Sequence, residues 1–319
     1  MNKIERVNAV LNCEKPDFIP AGFWYHFDPT NNTYTIAQNH LRTFRETGVD
    51  LYKVMQDYIQ PIEVSVQSPS DWDKVSYPGE SSSVFHRLLD VIKMILDTTG
   101  HDALVFQTMF GPLKTIVQSY GYDMVMHYSK TAPQQLAAAV KRVAQAQTEW
   151  VAGFMEAGID GLFYSGQFSE PGRFTDEEFN LLVKEGDLTV LNAAESCGAR
   201  NILHICGEPD YDYVSMPKRY TDYPCAIVNW SVKDTGLSIN EGRKLFGGKP
   251  VLGGVNNRGV ILNGSDKEIE AEVNGIIGSI DNLNGYMLGA DCTIQGHGIS
   301  NEKIKVAVDT AHEYMSKNR

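Results

Sequence analysis

The chain has 319 residues, of which 42% are hydrophobic, 21% charged and 10% aromatic. These proportions are ordinary for a folded globular protein and exclude an intrinsically disordered chain. The formal net charge of -12 is spread along the sequence without a basic stripe, which argues against nucleic acid as a partner. No stretch approaches the roughly 20 apolar residues of a membrane span, and the first residues lack the apolar core of a secretion signal. We therefore expect a cytoplasmic protein without a membrane segment.

The first third of the chain predicts helices and strands in alternation. The predicted helices lie near 2–12, 34–47 and 84–99, and the predicted strands are "IPAGFWY", "DLYKVM" and "ALVFQTM". The stretch "YIQPIEVSVQSPSDWDKV" follows the second strand and alternates apolar with polar residues. This alternation predicts a hairpin-like insertion near 58–80.

The remaining two thirds show a more regular alternation of long helices and short apolar runs. A helix over 131–157 precedes the strand "DGLFYSG", and a helix from a capping box at Thr175 and Glu178 precedes "ARNILHIC". The strand "CAIVNWS", a helix near 238–246, the strand "KPVLGGV" and a helix opened by Ser265 and Glu268 come next. The strand "GYMLGADC" and a closing helix from about Ser300 complete the series.

About eight strands with intervening helices, and no flexible linker between them, predict one domain over 1–319. The fold class that fits best is α/β, as a single (β/α)8 barrel with an N-terminal extension. A doubly wound open sheet is the alternative arrangement of the same elements.

A histidine and a cysteine end the predicted strand "ARNILHIC". Because alternate side chains of a strand point to the same side, His204 and Cys206 project together from its C-terminal end. Cys292 ends the last predicted strand, and active sites of barrels gather at such strand ends. One imidazole and two thiolates suit Zn²⁺ and leave a fourth position open, as in catalytic zinc sites. The odd number of five cysteines argues against a disulfide framework.

Other polar residues at predicted strand ends are candidates for lining a cavity beside this group. They are His26, Gln107, Tyr164, Gln167, Glu170, Asn229, Asn256 and Asp291. Loop caps and satisfied polar groups use the same residue types, so each position also has a purely structural explanation. We expect Glu170 or Asp291 to accept a hydrogen bond from a metal-bound histidine, since such histidines usually donate their second ring nitrogen.

Four stretches resemble the uroporphyrinogen decarboxylase superfamily, and within it the zinc-dependent methyltransferases that act on methylated corrinoids. They are "GIDGLFYSGQFSEPG", "NILHICG", "VNWSVKDTGLSINEGRKLFGGKPVLGGVNNRGVI" and "GYMLGADCTIQGHGIS". The resemblance covers roughly residues 150–316 well and the earlier part loosely. It implies a (β/α)8 barrel, in agreement with the prediction from the alternating elements.

The resemblance also implies a metal and a reaction. In those methyltransferases an H-x-C pair and a cysteine near the last strand hold zinc, which here matches His204, Cys206 and Cys292, with His297 in "GHG" as the substitute for the third ligand. The implied co-substrate is a corrinoid carried on a partner protein, because the chain has no D-x-H-x-x-G cobalamin motif. A thiol or a methylated small molecule is the second substrate, and transfer in either direction fits.

Two other functions fit the same barrel. The first is a uroporphyrinogen decarboxylase-like decarboxylase of a tetrapyrrole or another carboxylic acid. True decarboxylases resemble one another in an arginine-rich N-terminal segment, whereas the matching "PAGFWYHFDPTNN" contains no arginine. A site that grips several carboxylates needs such cations. The second is a corrinoid- or metal-binding protein without turnover.

Overall fold

One parallel sheet of eight strands organises the part of the chain that the structure, a computed structural model, describes: residues 1–207, 214–296 and 299–317. The strands are β1 Ala21–Gly22, β2 Leu51–Val54, β3 Leu104–Phe110, β4 Gly161–Gly166, β5 Ile202–Ile205, β6 Ile227–Trp230, β7 Val251–Val255 and β8 Tyr286–Ala290. Consecutive strands are neighbours from β2 to β8, and β8 pairs with β1. The predicted single (β/α)8 barrel is confirmed. The doubly wound sheet is wrong because the strand order never reverses.

The barrel closes between β1 and β2 through the backbone and the side chain of Asp50. The backbone nitrogen of Asp50 donates to the carbonyl of Ala21 at 2.8 Å, and Oδ2 of Asp50 accepts from the nitrogen of Ala21 at 2.9 Å. Arg6 and His312 contact the same buried carboxylate, each at 2.8 Å. Helices at the two ends of the chain therefore hold the seam of the barrel together.

Helices surround the sheet. Their bounds are α1 Lys3–Leu11, α2 Thr33–Thr47, α3 Ser83–Thr99, α4 Pro112–Tyr120, α5 Tyr122–Thr131, α6 Pro133–Glu156, α7 Asp176–Phe179, α8 Glu185–Ser196, α9 Val232–Thr235, α10 Ile239–Leu245, α11 Val260–Asn263, α12 Asp266–Gly278 and α13 Asn301–Lys317. A π-helical turn, Asn180–Lys184, joins α7 to α8. The capping boxes predicted at Thr175 and Ser265 are both formed. No helix of the described chain combines the length and apolar character that a membrane crossing requires.

Two helices, α4 and α5, separate the third strand from the helix predicted over 131–157. The predicted helix begins at Pro133, after an N-terminal cap at Ala132, so that Thr131 ends α5 instead of capping α6. Gly121, with a positive φ of 82°, connects α4 to α5. No sequence pattern had predicted either of these shorter helices.

The predicted hairpin-like insertion near 58–80 forms no strand. The segment instead contains a 3₁₀ helix, Pro69–Lys74, and an extended stretch that packs on α4. Ser119 accepts a hydrogen bond from the nitrogen of Ile62, and Tyr120 donates to the carbonyl of Val64. Side chains of helix α4 therefore supply hydrogen-bond partners for the backbone of this segment, in place of a second hairpin strand.

Alternate residues of the strands fill the inside of the barrel. The apolar cluster there consists of Val7, Val10, Trp24, Leu51, Met55, Leu104, Phe106, Phe163, Ile202, Ile227, Leu252 and Met287. Leu51 and Met55 belong to β2 and its end, and Lys53 lies between them on the same inward face. Above this cluster, at the C-terminal ends of the strands, polar side chains replace the apolar ones.

Candidate metal centre

His204, Cys206 and Cys292 lie together at the C-terminal end of the barrel. His204 belongs to β5, Cys206 follows that strand, and Cys292 follows β8. One ligand atom from each residue lies within 4.8 Å of the other two. The sulfur of Cys292 is 3.4 Å from Nε2 of His204 and 3.8 Å from the sulfur of Cys206. The structure thus brings together the three residues that the sequence analysis selected as metal ligands.

Asn229 of β6 determines how the imidazole of His204 is presented. The amide nitrogen of Asn229 donates to the carbonyls of Leu252 at 2.7 Å and Ala290 at 3.0 Å. Its oxygen is therefore left to accept a hydrogen bond from Nδ1 of His204, at 2.5 Å. With the proton on Nδ1, the lone pair of Nε2 points toward Cys292, which is the tautomer that a metal ligand requires.

The spacing and chemistry of these atoms fit a zinc ion. Zinc bonds of about 2.3 Å to sulfur and about 2.0 Å to nitrogen place tetrahedral ligand atoms roughly 3.5–3.8 Å apart. The observed separations of 3.4 and 3.8 Å lie within about 0.1 Å of this range. Two thiolates with one imidazole form a soft donor set that favours zinc over magnesium or calcium. Three protein ligands leave one position for a substrate.

The two cysteines share their protons unequally. The hydrogen bond between the sulfurs raises the pKa of Cys206 and lowers the pKa of Cys292. Burial of Cys206 adds to its rise because it disfavours a thiolate. Cys292 is therefore the first of the pair to become a thiolate.

A cavity of about 780 Å³ opens above the three residues. Its wall includes apolar, amide and charged side chains: His26, Phe27, Lys53, Met55, Asp57, Ile59, Thr108, Phe110, Lys114, Phe163, Ser165, Gln167, Asn257, Arg258 and Thr293. This volume is typical of sites for small organic molecules. The candidate ligands therefore face a space that a substrate can enter.

Two of the other predicted lining residues, His26 and Gln167, face this cavity. Nδ1 of His26 lies 2.6 Å from Oδ1 of Asp57, a buried carboxylate that also accepts from the nitrogen of Phe27. The carboxylate thus orients the half-exposed imidazole of His26 at the cavity wall. Asp57 had no sequence pattern that singled it out.

Among the described residues, no carboxylate contacts a ring nitrogen of His204, and the partner predicted for it, Glu170 or Asp291, is wrong because both bind elsewhere. Asp291 is buried and accepts hydrogen bonds from the backbone nitrogens of Gly254 and Lys233, and its burial raises its pKa to about 7. Glu170 forms a buried ion pair with Arg173 at 3.0 Å. Both carboxyls support loops at strand ends, and Asn229 takes the role that was expected of them.

Tyr164 points away from the cavity. Its hydroxyl donates to Asp187 of α8 at 2.7 Å, and the hydroxyl of Tyr223 donates to the same carboxylate at 3.1 Å. All three side chains are buried between the sheet and the helices, and burial raises the pKa of Asp187 to about 7. Tyr164 is therefore a packing residue of the barrel wall.

Three predicted positions remain. The amide of buried Gln107 donates to the carbonyl of Thr108, and Oδ1 of Asn256 accepts from the nitrogen of Arg258 in a turn. Both therefore have local structural roles. His297, the substitute for the third ligand, lies outside the described residues.

Lys53 is a further charged residue in the cavity wall that no sequence pattern singled out. Its side chain is 3% exposed, and its ammonium group lies 4.2 Å from the ring centre of Phe163 and 4.9 Å from that of Trp24. Burial lowers the pKa of Lys53 to about 7, while the charges of Cys292, Asp57 and Cys206 raise it. A lysine within an otherwise apolar barrel interior is unusual, because isolated buried charges are costly.

The protein is thus a (β/α)8 barrel with a candidate metal centre of one histidine and two cysteines beneath a cavity. The family model described as uroporphyrinogen decarboxylase (URO-D) matches residues 41–314. The chain therefore belongs to the uroporphyrinogen decarboxylase family, as the four sequence stretches predict. Among proteins of curated function, none matches the chain significantly.

Solved structures with the same barrel include proteins of two kinds. A methyltransferase from Methanosarcina mazei is 18% identical, with 99% of each chain covered and a TM-score of 0.76. A B12-independent methionine synthase from Shewanella sp. W3-18-1, in complex with selenomethionine, is 14% identical, with 95% of each chain covered and a TM-score of 0.60. At these identities the similarity establishes the shared fold.

Proposed function

We propose that the chain is a zinc-dependent methyltransferase that moves a methyl group between a corrinoid on a partner protein and a thiol or methylated small molecule. The observation that carries the proposal is the convergence of Nε2 of His204 with the sulfurs of Cys206 and Cys292. The barrel that the chain shares with a Methanosarcina mazei methyltransferase supports it.

His204, Cys206 and Cys292 would hold the metal. Zinc in such a site supplies a Lewis acid that lowers the pKa of a thiol at its open position. The protein's own part is to fix the Nδ1–H tautomer of His204 through Asn229 and to hold both cysteine sulfurs within reach of one ion. The cavity then orients the sulfur of the substrate over this group.

The proposed exchange is a methyl transfer between sulfur and cobalt. In one direction the thiolate sulfur attacks the methyl carbon of a methyl-corrinoid, a carbon–sulfur bond forms, and the electron pair of the cobalt–carbon bond stays on cobalt. In the other direction Co(I) attacks the methyl group of the methylated small molecule, whose leaving atom keeps the bonding pair. Both directions use the same three residues and the same cavity.

The composition of the cavity disfavours the alternative, a decarboxylase of a tetrapyrrole or another carboxylic acid. The described lysine and arginine side chains that line the cavity are Lys53, Lys114 and Arg258. The guanidinium group of Arg258 already contacts both carboxylate oxygens of Asp234, and the ammonium group of Lys53 is covered by the rings of Trp24 and Phe163. Recognition of several carboxylates needs several cations in place. A methyl transfer to sulfur has no such requirement.

The first experiment is elemental analysis of protein purified without added metal, beside Cys206→Ala. Cys197→Ala is the matched control, because Cys197 is an exposed cysteine at the end of α8. We expect about one zinc per chain in the wild type and in the control, and loss of zinc from Cys206→Ala. Methylcobalamin with a panel of thiols then tests the transfer. A wild type that takes up no zinc under reducing conditions would refute the proposal.

A further inference from the structure

Lys53 has an unusual environment for a lysine. It lies on the inward face of β2, between Leu51 and Met55 of the apolar barrel cluster. Two aromatic faces, those of Trp24 and Phe163, cover its ammonium group. Only 3% of the residue is exposed to solvent.

The ammonium group has one hydrogen-bond acceptor among the described residues, the thioether sulfur of Met55 at 3.0 Å. A thioether is a weak acceptor and carries no charge. Contacts with aromatic faces return part of the hydration energy that a buried cation loses, but not all of it. A lysine in this position therefore gains most from a negative charge at the top of the barrel.

The candidate metal centre is the place where such a charge can arise. Lys53 and the three candidate ligands share one cavity wall. The ring of Phe163 contacts both, because its centre lies 4.2 Å from the ammonium group and 5.5 Å from the ring centre of His204.

The net charge of a loaded centre depends on its fourth ligand. A divalent zinc ion with two thiolates and a neutral imidazole has no net charge. An anionic fourth ligand gives the centre a charge of minus one, whereas a thioether, an ether or another neutral ligand leaves it at zero. An ammonium group nearby stabilises the first of these states and has little effect on the second.

We propose that Lys53 is a specificity-determining residue that selects an anionic ligand, such as a thiolate, over a neutral one at the open position of the His204, Cys206 and Cys292 centre. This inference rests on the proposed zinc function and refines it. It assigns the site to the binding of a thiolate acceptor in preference to a neutral methyl donor.

The test uses full-length protein loaded with Co²⁺ in place of zinc, whose visible absorption reports the ligands directly and without turnover. The wild type, Lys53→Met and Lys53→Arg are titrated with 2-mercaptoethanol, which binds as a thiolate, and with imidazole, which binds as a neutral ligand. Lys249→Met is the matched control, because Lys249 precedes the N-terminal end of β7 and donates to the carbonyl of Cys225.

We expect Lys53→Met to weaken 2-mercaptoethanol binding about tenfold or more, as the loss of one nearby unit charge implies. The affinity for imidazole should change less than about twofold, because a neutral ligand adds no charge to the centre. Lys53→Arg should retain most of the thiolate affinity, and Lys249→Met should match the wild type with both ligands.

Three results would overturn the selection by Lys53. The first is an equal change in the affinities for 2-mercaptoethanol and imidazole, and the second is no change in either affinity. The third is loss of cobalt from a folded Lys53→Met protein, which would show that the lysine supports metal binding by the two cysteines. A wild type that binds no cobalt would overturn the proposed metal centre, and the selection with it. Cobalt content measured before each titration separates that failure from the other three.

Discussion

Nδ1 of His204 lies 2.5 Å from Oδ1 of Asn229, and this contact determines which ring nitrogen faces the two cysteines. The amide of Asn229 cannot rotate without losing its hydrogen bonds to the carbonyls of Leu252 and Ala290. Backbone atoms of β7 and β8 therefore orient a histidine of β5. The candidate metal centre depends on four neighbouring strands, although its ligands come from the ends of only two.

Replacement of Asn229 should weaken metal binding without removing a ligand. We expect Asn229→Ala to lower zinc affinity about 10–100-fold, because the imidazole loses the acceptor that fixes its tautomer. Competition with a chromophoric chelator measures this change. Asn256→Ala is the control, since Asn256 caps a turn at the end of the next strand. Equal zinc affinities in the two variants would show that the tautomer of His204 does not depend on Asn229.

The third ligand can be identified by a pair of substitutions. Cys292→Ala should lose zinc because it removes a sulfur 3.4 Å from Nε2 of His204. His297→Ala should keep about one zinc per chain, as expected if the cysteine is the third protein ligand. Elemental analysis of both variants decides between them. Retention of zinc in Cys292→Ala together with loss in His297→Ala would reverse the assignment.

Asp187 should make stability depend on pH. Burial raises its pKa in the folded protein to about 7, well above the value of about 3.9 in an unfolded chain. Between these values the folded state holds a proton that the unfolded state has released, so its contribution to stability is complete below about pH 4 and is lost as the pH rises through 7.

We therefore expect Asp187→Asn to gain stability relative to the wild type as the pH rises from 5 to 8. The amide is a neutral counterpart of the protonated carboxyl. Its oxygen can accept a hydrogen bond from one of the hydroxyls of Tyr164 and Tyr223, and its NH2 group can donate to the other. Urea unfolding across this pH range measures the difference. Asp291, whose pKa is also raised to about 7, is present in both proteins and cancels. A difference that stays constant with pH would contradict the prediction.

Lys53→Met should stabilise the metal-free protein. Replacement of a buried ammonium group by an apolar side chain of similar length removes its desolvation cost, and we expect a gain of about 1–4 kcal/mol in the free energy of unfolding near neutral pH. The folded-state pKa of Lys53 is lowered to about 7, so the gain should be largest below pH 7 and shrink toward about pH 10. Chemical denaturation of chelator-treated protein measures it. A loss of stability would show that Lys53 supports the fold.

Most strands and helices could be predicted from the sequence, but the buried charge of Lys53 could not. The strands and helices that follow residue 130 could be predicted because glycine, proline and capping residues mark their ends. In β2, "LYKV", every residue is buried, since one face packs inside the barrel and the other on the helices. Apolar and polar residues then do not alternate, and nothing in the sequence indicates that Lys53 points inward.

The candidate metal centre could also be predicted only in part. A histidine and a cysteine two residues apart on a strand identify a shared face, so His204 and Cys206 could be selected from the sequence. The role of Asn229 follows from the positions of two carbonyls on other strands, and no local pattern encodes those. A search for carboxylates near His204 therefore selected Glu170 and Asp291 instead.

The candidate ligands lie far apart along the chain, at the ends of β5 and β8. This separation affects when the centre can form during synthesis. Cys206 and Cys292 meet only when β8 has joined the sheet, and β1 completes the barrel by pairing with that same strand. A ribosome must therefore synthesise the chain as far as Cys292, 86 residues beyond Cys206, before all three side chains are available. Metal uptake by a growing chain would mark the completion of the barrel, and a protein truncated before β8 would emerge without the capacity to bind zinc at this centre.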